Sequence, residues 1–217
     1  MDDINILTAS PSIQRNCINL GKAYLKCIEW AGTHGSKFNP EKSKLIHFIG
    51  QRRLKTRAIS LKGSIIEPSK TIRVLGAYLD QGLTGRAHLR ALQKKIPLLL
   101  DALRTITRST WGASLETVRH LYLRAIRPAI TYGATAWYPT TKAVTLGKTL
   151  QSIQGKFLRI VAGAYRATST EALEIETFIE PLDLYTERIA LLGVTRQVQR
   201  GQGEKIKLLG RTLAAKT

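Results

Sequence analysis

The sequence predicts an α+β fold: a short, partial antiparallel sheet with one long helix in the N-terminal third, followed by a mainly α-helical remainder. Two observations carry this. Up to about residue 80, short β-type apolar runs bounded by turn residues flank a single segment of helical period, and beyond Gly82 apolar residues recur at three- and four-residue steps. The composition can sustain such a fold, since 217 residues with 43% hydrophobic content are enough for a core.

Ile4-Asn5-Ile6-Leu7-Thr8 is a β-type run ended by the turn-forming Ser10-Pro11. Ser12 is placed to cap a helix whose apolar positions, Ile13, Cys17, Leu20, Tyr24, Cys27, Ile28 and Ala31, keep the helical period until Gly32 and Gly35 stop it. Residues 37–42 read as a tight turn and 45–49 as a buried strand. Further β-type runs follow at 56–61, 64–66 and 71–79, the first two joined through Lys62-Gly63 as a hairpin. Leu89, Leu92, Ile96, Leu99, Leu100, Leu103 and Ile106 then mark a helix that Pro97 is expected to kink or break. A second helix is predicted from Leu115 to about Ala125, a third from Pro128, which suits a first turn, and a fourth from Leu150 to Ala164. Thr168-Ser169-Thr170-Glu171 matches a capping box for a short acidic helix over 170–177. A last helix runs from Leu182 to about Gln199, and the Gly201-Gln202-Gly203 tail is expected to fray. There is no internal repeat.

The net charge is +19, from 34 basic against 15 acidic side chains. Because charged residues are only 23% of the chain, the excess reflects a shortage of acids in a globular mixture rather than a disordered basic tail. It is concentrated in residues 51–130, which hold sixteen basic and four acidic side chains. A sequence pI near 10.3 points to a polyanionic partner, and nucleic acid is favoured over a membrane because no apolar stretch is long enough to span a bilayer. The acidic start Met-Asp-Asp is unlike a signal or transit peptide, which with two cysteines fits an intracellular, nuclear or cytoplasmic protein. Cys17 and Cys27, ~15 Å apart along one helix, are too distant for a disulfide and read as buried thiols. His34, His47, His88 and His120 show no metal-ligand spacing.

Asp2-Asp3 ahead of a β-run, Cys27-Ile28-Glu29-Trp30, Phe38 to Phe48 with its Asn39-Pro40-Glu41-Lys42-Ser43 core, and Ile72-Arg73-Val74-Leu75-Gly76-Ala77-Tyr78-Leu79-Asp80 succeed one another in a telling order. In that order they resemble the latter half of a non-LTR (LINE-type) retrotransposon reverse transcriptase, with fungal elements the most similar. Ser109 to Gly112, Arg127 to Trp137 and Gly163 to Ser169 are similar to the thumb and connector of such polyproteins, so the resemblance reaches about residue 195. It implies a partial palm with primer-grip strands over 1–82, a helical thumb over 83–140 and a helical connector over 141–217.

The resemblance also implies roles. Asp2 and Asp3 match the dyad that ligates catalytic Mg²⁺, a hard cation that takes carboxylate oxygens. Lys42 matches a lysine near the incoming triphosphate, although a solvated turn lysine is an equal reading. Leu75, Gly76 and Tyr78 match the primer grip. Arg86, Arg90, Lys94, Lys95, Arg104 and Arg108 would track the phosphates of an RNA template and DNA primer without reading bases. Trp30, Trp111 and Trp137 read as core side chains rather than stacking platforms.

The family also needs fingers and an earlier palm aspartate. Neither is visible, so the expectation is a fragment of an RNA-directed DNA polymerase that is catalytically incomplete alone but retains a basic nucleic-acid surface. The alternative is a standalone basic helical RNA- or DNA-binding module.

Overall fold

The computed structural model describes residues 4–48, 57–61, 64–107, 112–138, 144–199, 205–208 and 211–214. The chain divides into two compact units, Met1–Ile72 with Asp80–Leu83, and Arg73–Leu79 with Thr84–Thr217.

In the first unit, helix α1 (Ile13–Thr33) is followed by a 3₁₀ turn at Pro40–Lys42 and the antiparallel hairpin β1 (Ile59–Leu61) and β2 (Ser64–Ile66), which pairs Ile59 with Ile66 and Leu61 with Ser64. The predicted stripe of α1 is its less exposed face, yet only Ala31 is buried. Cys17 and Cys27 are therefore half-buried free thiols rather than buried ones, because α1 rests on a three-residue strand that cannot cover 21 residues of helix. Trp30, expected in the core, is exposed and stacks on His34 at 4.3 Å. The Ser12 hydroxyl makes no cap; its backbone carbonyl accepts from Asn16 N–H at 3.0 Å, while Ser10 Oγ takes the Ser12 N–H. Residues 45–48 form no strand. Leu45 makes one isolated parallel bridge to Pro68, and His47 Nε2 bonds the Arg57 carbonyl at 2.8 Å. The Lys62-Gly63 turn lies outside the described residues, as does the Gly201-Gln202-Gly203 tail.

Strands β3 (Thr71–Val74) and β4 (Ala77–Asp80) pair as a second hairpin, whose tip belongs to the second unit. Helix α2 (Arg86–Ile106) begins three residues before the predicted stripe and runs through Pro97 without interruption. Proline there deprives the carbonyl of Gln93 of its helical donor, but both residues lie on the exposed face rather than in the core.

Where the sequence pattern predicts two separate helices next, the structure has one rod. Helix α3 (Leu115–Leu121), capped by Ser114 Oγ accepting the Thr117 N–H, passes into a π turn (Tyr122–Ile126) and on into α4 (Arg127–Thr131). The wide turn, in which Arg127 N–H reaches the Tyr122 carbonyl, stands just before Pro128, which has no N–H to give an ordinary helical bond. It also solves a geometric problem. Within the rod, Val118, Tyr122, Ile126 and Ile130 are all buried at strict four-residue steps. An α-helix would turn such a series by about 40° per step, and a wider turn slows that drift so the series stays on the core.

Helix α5 (Ala134–Trp137) follows, then α6 (Val144–Val161), α7 (Thr170–Glu176) and α8 (Leu182–Gln199). The α7 cap is Ser169, whose Oγ accepts from Ala172 N–H at 3.2 Å, one residue later than the predicted box. Lys205–Leu208 (β5) and Arg211–Ala214 (β6) pair antiparallel, an element that the sequence pattern does not signal. The core of this unit joins Leu89, Leu92, Ile96 and Leu103 of α2 to Tyr122, Ile130, Leu150, Phe157, Leu158 and Leu182. Gln154, wholly buried, is satisfied on both sides: its Nε2 donates to the Glu180 carbonyl at 3.0 Å, and its Oε1 accepts the Leu182 N–H.

Candidate nucleic-acid interface

The turn joining β3 to β4 is Leu75-Gly76, with φ of 47° and 88°. Two consecutive left-handed residues make a type I′ turn, the form that matches strand twist, and Asn-Gly is the pair that fits it best. Gly76 meets that demand, and a Cβ there would also lie 3.3 Å from the Tyr132 ring. Leu75 does not meet it. A branched side chain in the left-handed region costs about 1 kcal/mol, and this one is 73% exposed, so burial returns nothing. The turn is held instead by the Tyr132 hydroxyl, which donates to the Leu75 carbonyl at 3.1 Å.

Behind the tip, the Tyr78 N–H donates to Nδ1 of His88 at 3.2 Å, tying β4 to α2. Accepting this bond requires an unprotonated Nδ1, and His88 is buried and stacked on Trp137 at 4.5 Å. Burial, aided by the charge of Lys95, pushes the His88 imidazole down to about 4. Trp137 is in the core as predicted and donates its Nε1 to the Tyr132 carbonyl at 2.8 Å, so one packed set of rings positions both anchors of the hairpin. Arg73 lies exposed with its guanidinium 5.8 Å from the Tyr78 ring centre.

Arg86, Arg90 and Lys94 stand on the exposed side of α2 at four-residue steps and form one stripe; each step advances ~6 Å along the axis. Lys95 is exposed too, but about 100° round the helix from Lys94. Arg104 is exposed and paired with Asp101 at 2.9 Å, a surface pair of small worth that leaves the guanidinium free to exchange partners. Leu75, Gly76, Tyr78, Arg86, Arg90, Lys94, Lys95 and Arg104 are thus all carried by the second unit. Lys42 belongs to the first unit, exposed at the end of the 3₁₀ turn that Asn39 Oδ1 closes by accepting the Glu41 N–H at 2.9 Å. Asp2, Asp3, Arg108 and Trp111 lie outside the described residues.

Sequence reasoning misses Tyr132, His88 and Arg73. Only Arg73 carries a signal, as a further cation within a predicted strand. Asp2 and Asp3, to which the resemblance assigns magnesium, lie outside the described residues; among the described ones, no group of three or more His, Cys, Asp or Glu side chains could hold a metal ion. None of the helices described is long and apolar enough to cross a membrane.

No protein-family model matches the chain, and no solved structure does so significantly. Curated proteins do. The chain is 26% identical over 182 residues to the 115 kDa protein in type-1 retrotransposable element R1DM of Drosophila melanogaster, covering 83% of this chain and 17% of that protein. It is 25% identical over 161 residues to the retrovirus-related Pol polyprotein from type-1 retrotransposable element R1 of Nasonia vitripennis, covering 72% of this chain and 48% of the relative. To the RNA-directed DNA polymerase from mobile element jockey of Drosophila funebris it is 26% identical over 176 residues, 81% of this chain and 19% of the polymerase. The chain therefore spans under half the length of each of these relatives. By similarity over most of its own length, the chain is non-LTR retrotransposon reverse-transcriptase-like.

Proposed function

We propose that this chain is the part of an RNA-directed DNA polymerase that holds the backbone of a template–primer duplex. The observation that supports it most is the bond from Tyr78 N–H to His88 Nδ1, which fastens the hairpin carrying Leu75, Gly76 and Tyr78 onto the helix carrying Arg86, Arg90 and Lys94. Exposed cations on a rigid helix beside a backbone turn suit phosphate contacts, which position a duplex without reading its sequence. The naming of one relative as an RNA-directed DNA polymerase, and the +19 charge, support nucleic acid as the partner. The polymerase chemistry of the whole protein, with Asp2 and Asp3 as magnesium ligands and Lys42 near the triphosphate, belongs to the same reading, but no step assigned to the described residues runs through the metal.

The test is equilibrium binding of a labelled RNA–DNA duplex across a salt series. Affinity should fall steeply with salt, and the R86E/R90E/K94E variant should bind more weakly with a log–log slope shallower by about 3, roughly one per cation removed. A flat salt dependence, or an unchanged dissociation constant in the triple variant, would sink the proposal.

A further inference from the structure

In a chain of net charge +19, residues 171–187 hold six acidic side chains (Glu171, Glu174, Glu176, Glu180, Asp183 and Glu187) and no basic one. This segment covers α7, its exit and the start of α8. Arg188, the next residue, pairs with Glu180 at 2.6 Å, so the exposed acids of the segment are Glu171 and Glu176. Two large apolar side chains stand in it facing solvent, Ile175 at 75% and Phe178 at 85% exposure.

Phe178 is the informative residue. Helix α7 ends with the Ile179 N–H bonded to the Glu174 carbonyl at 3.0 Å, the six-to-one bond of a Schellman motif, and Phe178 occupies the left-handed position of that motif at φ 51°. Glycine is the usual occupant because it alone suffers no Cβ penalty. A phenylalanine here is strained, and being exposed it gains nothing from burial. The strained backbone is nevertheless fixed firmly: Arg119 donates from Nε to the Thr177 carbonyl at 2.6 Å and from Nη2 to the Phe178 carbonyl at 3.0 Å. Thr177 Oγ1 bonds the Leu173 carbonyl at 2.6 Å, and Ile179 is buried directly beyond. The ring is held outward by groups that would hold a glycine equally well, so folding does not account for it.

We propose that Ile175 and Phe178 anchor a cationic segment of another polypeptide on this acidic face, with the exposed Glu171 and Glu176 meeting its positive charges. Rigid aromatic anchors at the centre of a charged rim are how small interfaces concentrate their affinity. A second copy of this chain is disfavoured as occupant: its cations lie on a different patch, so copy-to-copy pairing would be head-to-tail and would not close.

The whole chain should be titrated against a fluorescent peptide of about twelve Leu and Lys residues and against its Leu and Glu counterpart. The Lys peptide should bind and the Glu peptide should not. Phe178→Gly should weaken binding by about tenfold while leaving the thermal midpoint equal or higher, a combination that a purely structural role would not produce. E171K/E176K, at two exposed positions, should weaken it comparably and flatten its salt dependence. If neither variant changes the affinity, or if both peptides bind alike, the proposal is overturned. It is equally overturned if the chain sediments as a dimer that Phe178→Gly dissociates, since the occupant would then be a second copy.

Discussion

The hydroxyl of Tyr132 reaches across 57 residues of sequence to the carbonyl of Leu75, 3.1 Å away, and is the described side-chain bond that holds the tip of the β3–β4 hairpin. Removing it with Tyr132→Phe keeps the ring against Gly76 and deletes the donor alone. The bond is partly solvent-exposed, so the global cost should be small, about 0.5 kcal/mol. Hydrogen exchange at Gly76 and Ala77 should nevertheless accelerate, while the amides of α2 stay protected. Uniform exchange across both elements would show that the bond does not hold the tip.

The strain at Leu75 predicts an unusual gain. Leu75→Asn places at φ 47° a residue that tolerates the left-handed region, and stability should rise by up to about 1 kcal/mol in denaturant titration. If the exposed leucine is kept for duplex contact, the same variant should bind an RNA–DNA duplex less well than its parent. A stabilised variant with unchanged affinity would remove Leu75 from the interface.

Two groups, the buried His88 and the half-buried Glu174, pull the pH dependence of stability in opposite directions. His88 has a folded pKa near 4 against an ordinary 6.5, so between those values the unfolded chain binds the extra proton and stability rises with pH. Glu174 is pushed up to about 7, first by burial and then by Asp183 and Glu171, so between 4.5 and 7 the folded chain binds the extra proton and stability falls as pH rises. The parent profile between pH 4.5 and 6.5 should therefore be nearly flat. Glu174→Gln should expose the His88 slope, with stability lost on acidification, and His88→Gln should expose the reverse. Each slope should amount to roughly 1–3 kcal/mol over the window. Identical profiles in the two variants would contradict the assignment.

Glycine at 193 lets α8 approach α5, since a Cβ there would overlap the side chain of Thr135 down to its own Cβ at 3.0 Å. Gly193→Ala should destabilise by about 1–3 kcal/mol despite alanine's better helix propensity. Gly193→Ala combined with Thr135→Gly should recover most of the loss, and a neutral single variant would mean that the helices separate easily.

Duplex binding should not depend on magnesium. Chelation by EDTA at constant ionic strength is expected to leave the affinity unweakened, because the contacts proposed for Arg86, Arg90 and Lys94 are direct. A loss of binding on chelation would shift the interface toward Asp2 and Asp3.

How much of the molecule is legible in its sequence depends on the range of the interactions involved. The stripe of α2 and the β1–β2 hairpin declare themselves within a few residues, through period and turn chemistry, and so do the cations that share one face of α2; β3 and β4 read as one run over 71–79, and only the resemblance implies that they pair. The anchors of the candidate interface do not. Tyr132 and His88 act through partners 57 and 10 residues away, and nothing in a tyrosine or a histidine announces which carbonyl or amide it will meet. Leu75 and Phe178 stay hidden for a different reason, since each sits where glycine is expected and so contradicts the preference used to find turns. The shallow cover on Cys17, Cys27 and Trp30 is hidden because apolar periodicity reports which face turns inward and says nothing about how much chain is there to receive it. The four-residue series from Val118 to Ile130 is in plain view; reading it as two ordinary helices misses that only a wider turn keeps all four residues on one side.

That π turn gives the rod room to lose a residue and none to gain one. A residue lost between Tyr122 and Ile126 would be absorbed by reverting to an ordinary helical turn, which covers the same rotation with one residue fewer, so the phase downstream would be kept. A residue gained there would not be absorbed. Ile130 would rotate off the core by about a quarter turn, and with it Tyr132, which holds the hairpin tip. Among relatives that diverge this far, insertions should be frequent in the connections after α2 and α5 and rare between residues 115 and 131, where the count of residues matters more than their identity.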